Sequence, residues 1–281
     1  MKGALDSLEE LYGRFNGRKY VHPDPLEFLY LYEHDRDKEV VGLIASTLAY
    51  GRVHQILKSV SQVLEKMGPS PYEYIREGGC RRFKGDFEGF RHRFTTGDQM
   101  VSLMGSIHRV LKEHASLERC FGQYLKEDEA TVLPALTGFI QELGGGSHGK
   151  GSMFLPLPQK GSACKRLNLF LRWMVRRDAV DPGVWRGVPA CKLIVPLDTH
   201  MHRIALQWRF TRRRQADMRA ALEVTRRFKK LVPADPVRYD FVLTRIGISR
   251  HEDLKNIFLH NGSLALTHFA PCPDEQEMAD P

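Results

Sequence analysis

Gly161 to Trp208 reads GSACKRLNLFLRWMVRRDAVDPGVWRGVPACKLIVPLDTHMHRIALQW, and this stretch decides the fold class. Leu167, Phe170, Leu171 and Met174 recur at three- and four-residue intervals, the period that puts side chains on one face of an α-helix. Ser162 stands ahead of them as a good N-cap. A second helix is expected after Val195-Pro196-Leu197. Asp198 follows the proline and precedes an apolar periodicity through Met201 and Ile204, which places it at a helix N-cap. Strand-like alternation is scarce; Lys192 to Val195 is the best run and is very short.

The same period extends outward in both directions. Val53, Ile56, Leu57, Val60, Val63, Leu64 and Met67 keep one face, and Gly68-Pro69 stops the run. Met100 to Leu111 and Val132 to Leu143 repeat the pattern, the latter ending in Gly144-Gly145-Gly146. Leu222, Thr225 and Phe228 lie on a further helix. Asp235-Pro236 predicts a cap with proline at the first helical position, and Gly247 closes that helix. Glu77 to Phe94 and Gly144 to Gly161 read as long loops, which are uncommon unless functional or mobile. GSHGKG in the second lacks the spacing of a phosphate-binding loop, and a flexible linker is expected there. From Pro271 the chain is acidic and proline-containing, and disorder is expected.

The 281 residues carry 42 Lys+Arg against 34 Asp+Glu, a net charge of +8. Between Lys165 and Lys255 there are 21 basic and nine acidic residues, a net of +12, which leaves −4 for the rest. A basic C-terminal half points to a polyanion partner, with Arg212-Arg213-Arg214, Arg226-Arg227 and Lys229-Lys230 as phosphate contacts. The bland alternative is a solvated basic face. No stretch approaches the roughly 20 apolar residues of a membrane helix, and MKGALDSLEELYGRFNG has no apolar core for a secretory signal. The five cysteines include no CxxC pair, so no zinc ribbon or iron–sulfur cluster is expected and a reducing, cytoplasmic setting fits.

Two residues invite chemistry. Lys165 falls in the first turn of its helix, where the macrodipole is positive, beside Arg166 and with Arg172 two turns along the same face. These influences disfavour an ammonium and make a neutral, nucleophilic amine more accessible. The alternative is an exposed lysine that binds phosphate or nothing. Asp198 has the alternative of capping alone. Asp198, His200 and His202 raise a metal reading, but no third ligand follows, since His200 points away from a face shared by Asp198 and His202. His34-Asp35 resembles the start of a metal phosphohydrolase signature whose partners are not placed. No metal and no cofactor are expected.

Val195-Pro196-Leu197-Asp198-Thr199-His200-Met201 resembles the VPVD(T/V)H segment of the helix-hairpin-helix DNA glycosylase superfamily, in which the aspartate is the catalytic carboxylate. DKEVVGLIASTLAYGR, Asp37 to Arg52, resembles that superfamily's apolar helix ending in a polar turn that touches DNA. Gly161-Ser162-Ala163-Cys164-Lys165 resembles the hairpin and lysine of the archaeal 8-oxoguanine glycosylase branch, where lysine and aspartate are also about thirty residues apart. The whole chain resembles, too, a little-characterised bacterial family related to these glycosylases, in which KRLNLFLRWMVR and PLDTH are recognisable blocks. The hairpin pattern GxGxxTA and the four-cysteine cluster of several relatives are missing here.

The resemblance implies an all-α protein of two packed helical subdomains: a helical barrel over 37–196, and a second bundle from 1–36 with 197–262, followed by an acidic tail over 263–281. It implies a base-excision DNA glycosylase with a lyase step, acting on a damaged base in duplex DNA, an oxidised purine by the archaeal-like branch. Lys165 and Asp198 would be catalytic, and Tyr50, Arg52, Gly161, Ser162, Arg166 and His200 would contact DNA. Trp173, Trp185, Phe170, Trp208 and Tyr50 are candidate walls for a flipped base, with ordinary core aromatics the expected reading of at least three of them. The chain is expected to act as a monomer. The rival expectation is a non-catalytic nucleic-acid-binding protein on the same scaffold.

Overall fold

A computed structural model describes residues 2–145 and 155–248, and in it the helical periodicity becomes helices nearly throughout. In chain order they are α1 (Lys2–Phe15), α2 (Asp35–Leu48), α3 (Val53–Met67), α4 (Pro71–Glu77) and α5 (Cys80–Asp86). A two-stranded antiparallel hairpin, β1 (Arg91–His92) and β2 (Thr95–Thr96), follows, with Arg91 opposite Thr96 and His92 opposite Thr95. Then come α6 (Gly97–His114), α7 (Leu117–Gly122), α8 (Leu133–Ile140), a π-helical turn at Gln141–Gly145, α9 (Lys165–Val175), α10 (Thr199–Gln207), α11 (Met218–Leu231) and α12 (Asp240–Ile248). Among the described residues the protein is all-α apart from that hairpin. Among the described residues no helix is long and apolar enough to cross a membrane.

α2 is the centre of the molecule. Every residue from Glu39 to Leu48 is buried, the mark of a helix covered all round rather than on one stripe. It packs against α9 and against the 3-10 turn Pro25–Leu31. Gly42 lets α9 approach: a β-carbon there would stand 2.8 Å from Met174 Cε. Around this pair Phe139, Phe170, Phe121 and Trp185 form a run of ring contacts 5.3 to 6.3 Å apart. Buried residues on both sides of Pro196 belong to one hydrophobic core.

A buried ionic cluster ties the C-terminal half of α9 to three other segments. Arg172 donates to Asp181 at 3.1 Å and to Asp240, the first residue of α12, at 2.6 Å. Arg176 bonds Asp181 and pairs with Asp178 at 2.9 Å and Asp235 at 2.9 Å. Tyr12 of α1 donates to Asp178 at 2.7 Å. Removing one partner from such a buried set costs about 3–5 kcal/mol, because the other charge is left stranded.

Several boundaries differ from the sequence reading for physical reasons. Ser162 does not cap α9. Cys164, in the left-handed region at φ 47°, holds the cap position, and Ser162 Oγ accepts from the Cys164 amide at 3.2 Å in a turn before the helix. Asp235 starts no helix, because its carboxylate is used by Arg176 and α12 begins at Asp240. The Glu77–Phe94 segment is not a loop throughout: it contains α5 and β1. Lys192 to Val195 forms no strand but follows the 3-10 turn Ala190–Lys192. GSHGKG and the chain from 249 onward, including the acidic tail, lie outside the described residues.

Candidate active site and nucleic-acid interface

Lys165 is the first residue of α9 and is half-buried. The turn before it is fixed at two points. Gly161, at φ 82°, adopts a conformation that a side chain would strain. Its carbonyl accepts from the Met218 amide at 3.2 Å, and Ser162 forms an isolated antiparallel bridge with Asp217. Gly161 and Ser162 are thus joined to the start of α11. No hydrogen bond or ion pair ties the Lys165 amine among the described residues. Burial pushes the neighbouring Cys164 thiol up to about 11, and its sulfur donates to the Pro156 carbonyl at 3.2 Å. At neutral pH Cys164 is therefore a thiol and not a thiolate. Arg172, counted among the positive neighbours of Lys165, is compensated by Asp181 and Asp240.

Arg166 points inward. It donates to the Thr47 carbonyl at 2.7 Å, and its guanidinium lies 5.1 Å from the centre of the Tyr50 ring. That places the start of α9 against the C-terminal end of α2, where the chain turns through Tyr50-Gly51-Arg52 into α3. The Tyr50 hydroxyl donates to the His92 carbonyl at 2.8 Å and meets Thr95 Oγ1 at 2.6 Å. The His92 ring meets the Tyr50 carbonyl at 3.1 Å through Nε2 and Ser59 Oγ at 2.9 Å through Nδ1. Burial holds the His92 pKa below its usual value, so the ring works as a neutral bridge. Arg52 is exposed at the N-cap position of α3 and makes no side-chain cap bond.

The tip of the β1–β2 hairpin sits beside this turn and is absent from the sequence-derived set. Gly51, at φ 98°, lies under the Arg93 side chain: a β-carbon would stand 2.6 Å from Arg93 Cδ. Arg93 is itself left-handed at φ 53°, and Phe94 next to it is 68% exposed. Arg91 and Arg93, both exposed, precede it, and the Arg93 guanidinium lies 5.6 Å from the centre of the Phe94 ring. The only sequence signal was the Gly, Arg and Phe content of the segment, because strands of two residues are too short to show alternation.

Asp198 is the N-cap of α10, as expected. Its Oδ1 accepts from the Met201 amide at 2.7 Å, and its carbonyl accepts from His202 at 2.8 Å. His202 Nε2 meets the Arg213 carbonyl at 2.9 Å, and Arg213 pairs with Asp217 at 2.6 Å. A continuous series of contacts thus runs from α10 to the Gly161–Ser162 turn and Lys165. From the other side, Asp198 acts electrostatically on Asp240. Burial and the Asp198 charge push Asp240 up to about 6 against the opposing pull of Arg172. Lys165 and Asp198 make no ion pair with each other. His200 is half-buried, and its Nδ1 is enclosed without a hydrogen-bond partner.

The candidate walls divide. Phe170, Trp173 and Trp185 are core residues, at 2% exposure or less, and Trp208 is buried against Phe210 and Phe228; Tyr50 alone of the five is half-exposed beside the turn. The metal reading at Asp198, His200 and His202 loses its ligand atoms to the Met201 amide and the Arg213 carbonyl. His34 N-caps α2 without a side-chain bond, and Asp35 pairs with Lys38 at 3.5 Å. Arg212, Arg214 and Arg226 are exposed, whereas Arg213 is held by Asp217.

Fold and site together define a mostly helical protein with a lysine opening one helix, an aspartate capping another, and an exposed aromatic beside an arginine on a short hairpin. The chain belongs to the family described as Protein of unknown function (DUF2400), whose model matches residues 24–249 and so takes in the Tyr50 turn, the hairpin, Lys165 and Asp198. No curated protein and no solved structure matches it.

Proposed function

We propose that this protein is a DNA glycosylase of the helix-hairpin-helix type that removes a damaged base, an oxidised purine, from duplex DNA and carries a lyase step. The observation that carries the reading is the clasp of Arg166 on Tyr50, which ties the start of α9, where Lys165 stands, to the Tyr50–Arg52 turn. An exposed phenylalanine beside an exposed arginine, with a second arginine on the same hairpin, suits a duplex: the cations meet phosphates and the ring fills the place of an unstacked base. Arg166 then acts by holding that turn rather than by touching DNA.

In this mechanism the Lys165 amine attacks C1′ of the sugar as the C1′–N bond to the base breaks. The base leaves with that electron pair and takes up a proton. The Asp198 carboxylate stabilises the positive charge that develops on the sugar and accepts the proton lost by the amine. Opening of the sugar ring gives an imine between Lys165 and C1′, from which loss of a C2′ proton expels the 3′ phosphate. The reaction needs no cofactor, and the protein would work as a monomer in the cytoplasm.

A second reading is a non-catalytic nucleic-acid-binding protein on the same scaffold. It is favoured by the satisfied cap at Asp198, whose bond to the Met201 amide gives the residue a structural task. A panel of duplexes, each with one damaged base, separates the two. The glycosylase releases a base from one of them, and Asp198→Asn reduces release by orders of magnitude while binding persists. Binding to every duplex with release from none would leave the second reading.

A further inference from the structure

α6 ends in Glu113-His114, and the π-helical turn after α8 carries Glu142 to the same place. One ligand atom from each of Glu113, His114 and Glu142 lies within 4.8 Å of the others. His114 Nε2 is buried without a hydrogen-bond partner. Its other ring nitrogen, Nδ1, meets the Gln123 amide nitrogen Nε2 at 3.1 Å, and the Tyr124 hydroxyl donates to Glu142 Oε1 at 2.5 Å. Each inward ligand thus has an outer partner that fixes its orientation, the arrangement found around protein-bound metals. Metal binding at Nε2 requires the Gln123 amide to present its oxygen to Nδ1, a half-turn from the orientation described, which moves the ring proton to Nδ1 and frees the Nε2 lone pair. Among the described residues no Lys or Arg pairs with the Glu113 or Glu142 carboxylate, while Arg109 donates to the Glu142 backbone carbonyl at 2.6 Å. Two carboxylates and an orphaned imidazole nitrogen without a cation are what a divalent ion compensates. π-Turns also recur where a helix must redirect one functional side chain.

We propose that Glu113, His114 and Glu142 bind a divalent first-row transition-metal ion of the zinc class, which fastens the end of α6 to the turn after α8. One imidazole and two carboxylates favour such a metal over calcium or magnesium. Glu113 lies on the exposed side, so water completes the coordination. The site is separate from Lys165 and Asp198 and stands whether or not the protein is a glycosylase.

The test is titration of the tag-free protein with Zn2+ by calorimetry and with Co2+ by visible absorption. One ion should bind per chain, and the melting temperature should rise by roughly 5 °C at a hundredfold excess over Kd. His114→Ala should abolish binding; Glu113→Gln and Glu142→Gln should each weaken it at least tenfold, whereas His54→Ala and Cys80→Ser should leave it unchanged. If His114→Ala fails to fold, the exposed Glu113→Gln decides. Absence of a one-to-one site, or a site that survives Glu113→Gln and Glu142→Gln undiminished, overturns the proposal.

Discussion

Lys165, Asp198 and Phe94 carry the account at the scale of single residues, and each makes a different demand on a substitution. Asp198→Asn keeps the size of the side chain and an oxygen for the Met201 amide, so stability should fall by no more than about 1 kcal/mol, the scale of an N-cap. Denaturant unfolding checks this alongside the loss of base release. Phe94→Ala removes an exposed ring, and the melting temperature should stay within experimental error. Duplex affinity should drop by roughly tenfold, the scale of one lost base stack, in a fluorescence-anisotropy titration. Unchanged affinity would make Phe94 a bystander. Asp198 was legible because capping is local: a proline before and a stripe after are enough to place it. Ser162 was misplaced by two residues because its hydroxyl serves an equally local turn that precedes the helix.

Among the elements, α2 and α12 hold a strong pH signal. Glu39 is buried, accepting from Trp185 Nε1 at 2.8 Å and from the Glu118 amide at 3.1 Å, and burial pushes its pKa up to about 7. The folded state therefore holds this proton more tightly than the unfolded chain, whose carboxyl titrates near 4.5. Stability from this group is full at low pH and is lost as pH rises from about 4.5 to about 7, by roughly 3 kcal/mol. Asp240, raised to about 6, adds a loss of the same sign over a lower window. Thermal melts should thus show the melting temperature falling between pH 5 and pH 8, and Glu39→Gln should flatten that fall; an unaltered slope would contradict the assignment. The helices α3, α6 and α9 were legible from their apolar stripes. The hairpin and the Asp235 turn were not. One is too short to have a period, and the other is decided by Arg176, distant in sequence.

For the whole molecule, the basic excess of the C-terminal half was read from composition, but its placement was not. Arg172 and Arg176 are enclosed with Asp178, Asp181, Asp235 and Asp240, which ties up four acidic and two basic residues inside the fold. The surface of that half is therefore more basic than its sequence count. DNA affinity should fall steeply between low and moderate salt, and charge reversal at Arg226, Arg227, Lys229 and Lys230 should weaken binding to all sequences alike and shallow the salt slope. Salt-independent binding would remove the polyanion argument. The central claim, that the amine at the head of α9 attacks the sugar, is tested most directly by borohydride trapping on a substrate duplex. The account predicts a covalent protein–DNA adduct that Lys165→Gln abolishes and that Lys160→Gln and Lys192→Gln leave intact, since the Lys192 amine is occupied by the carbonyls of Lys126 and Glu127. An adduct that survives Lys165→Gln, or none with any lesion, would contradict it.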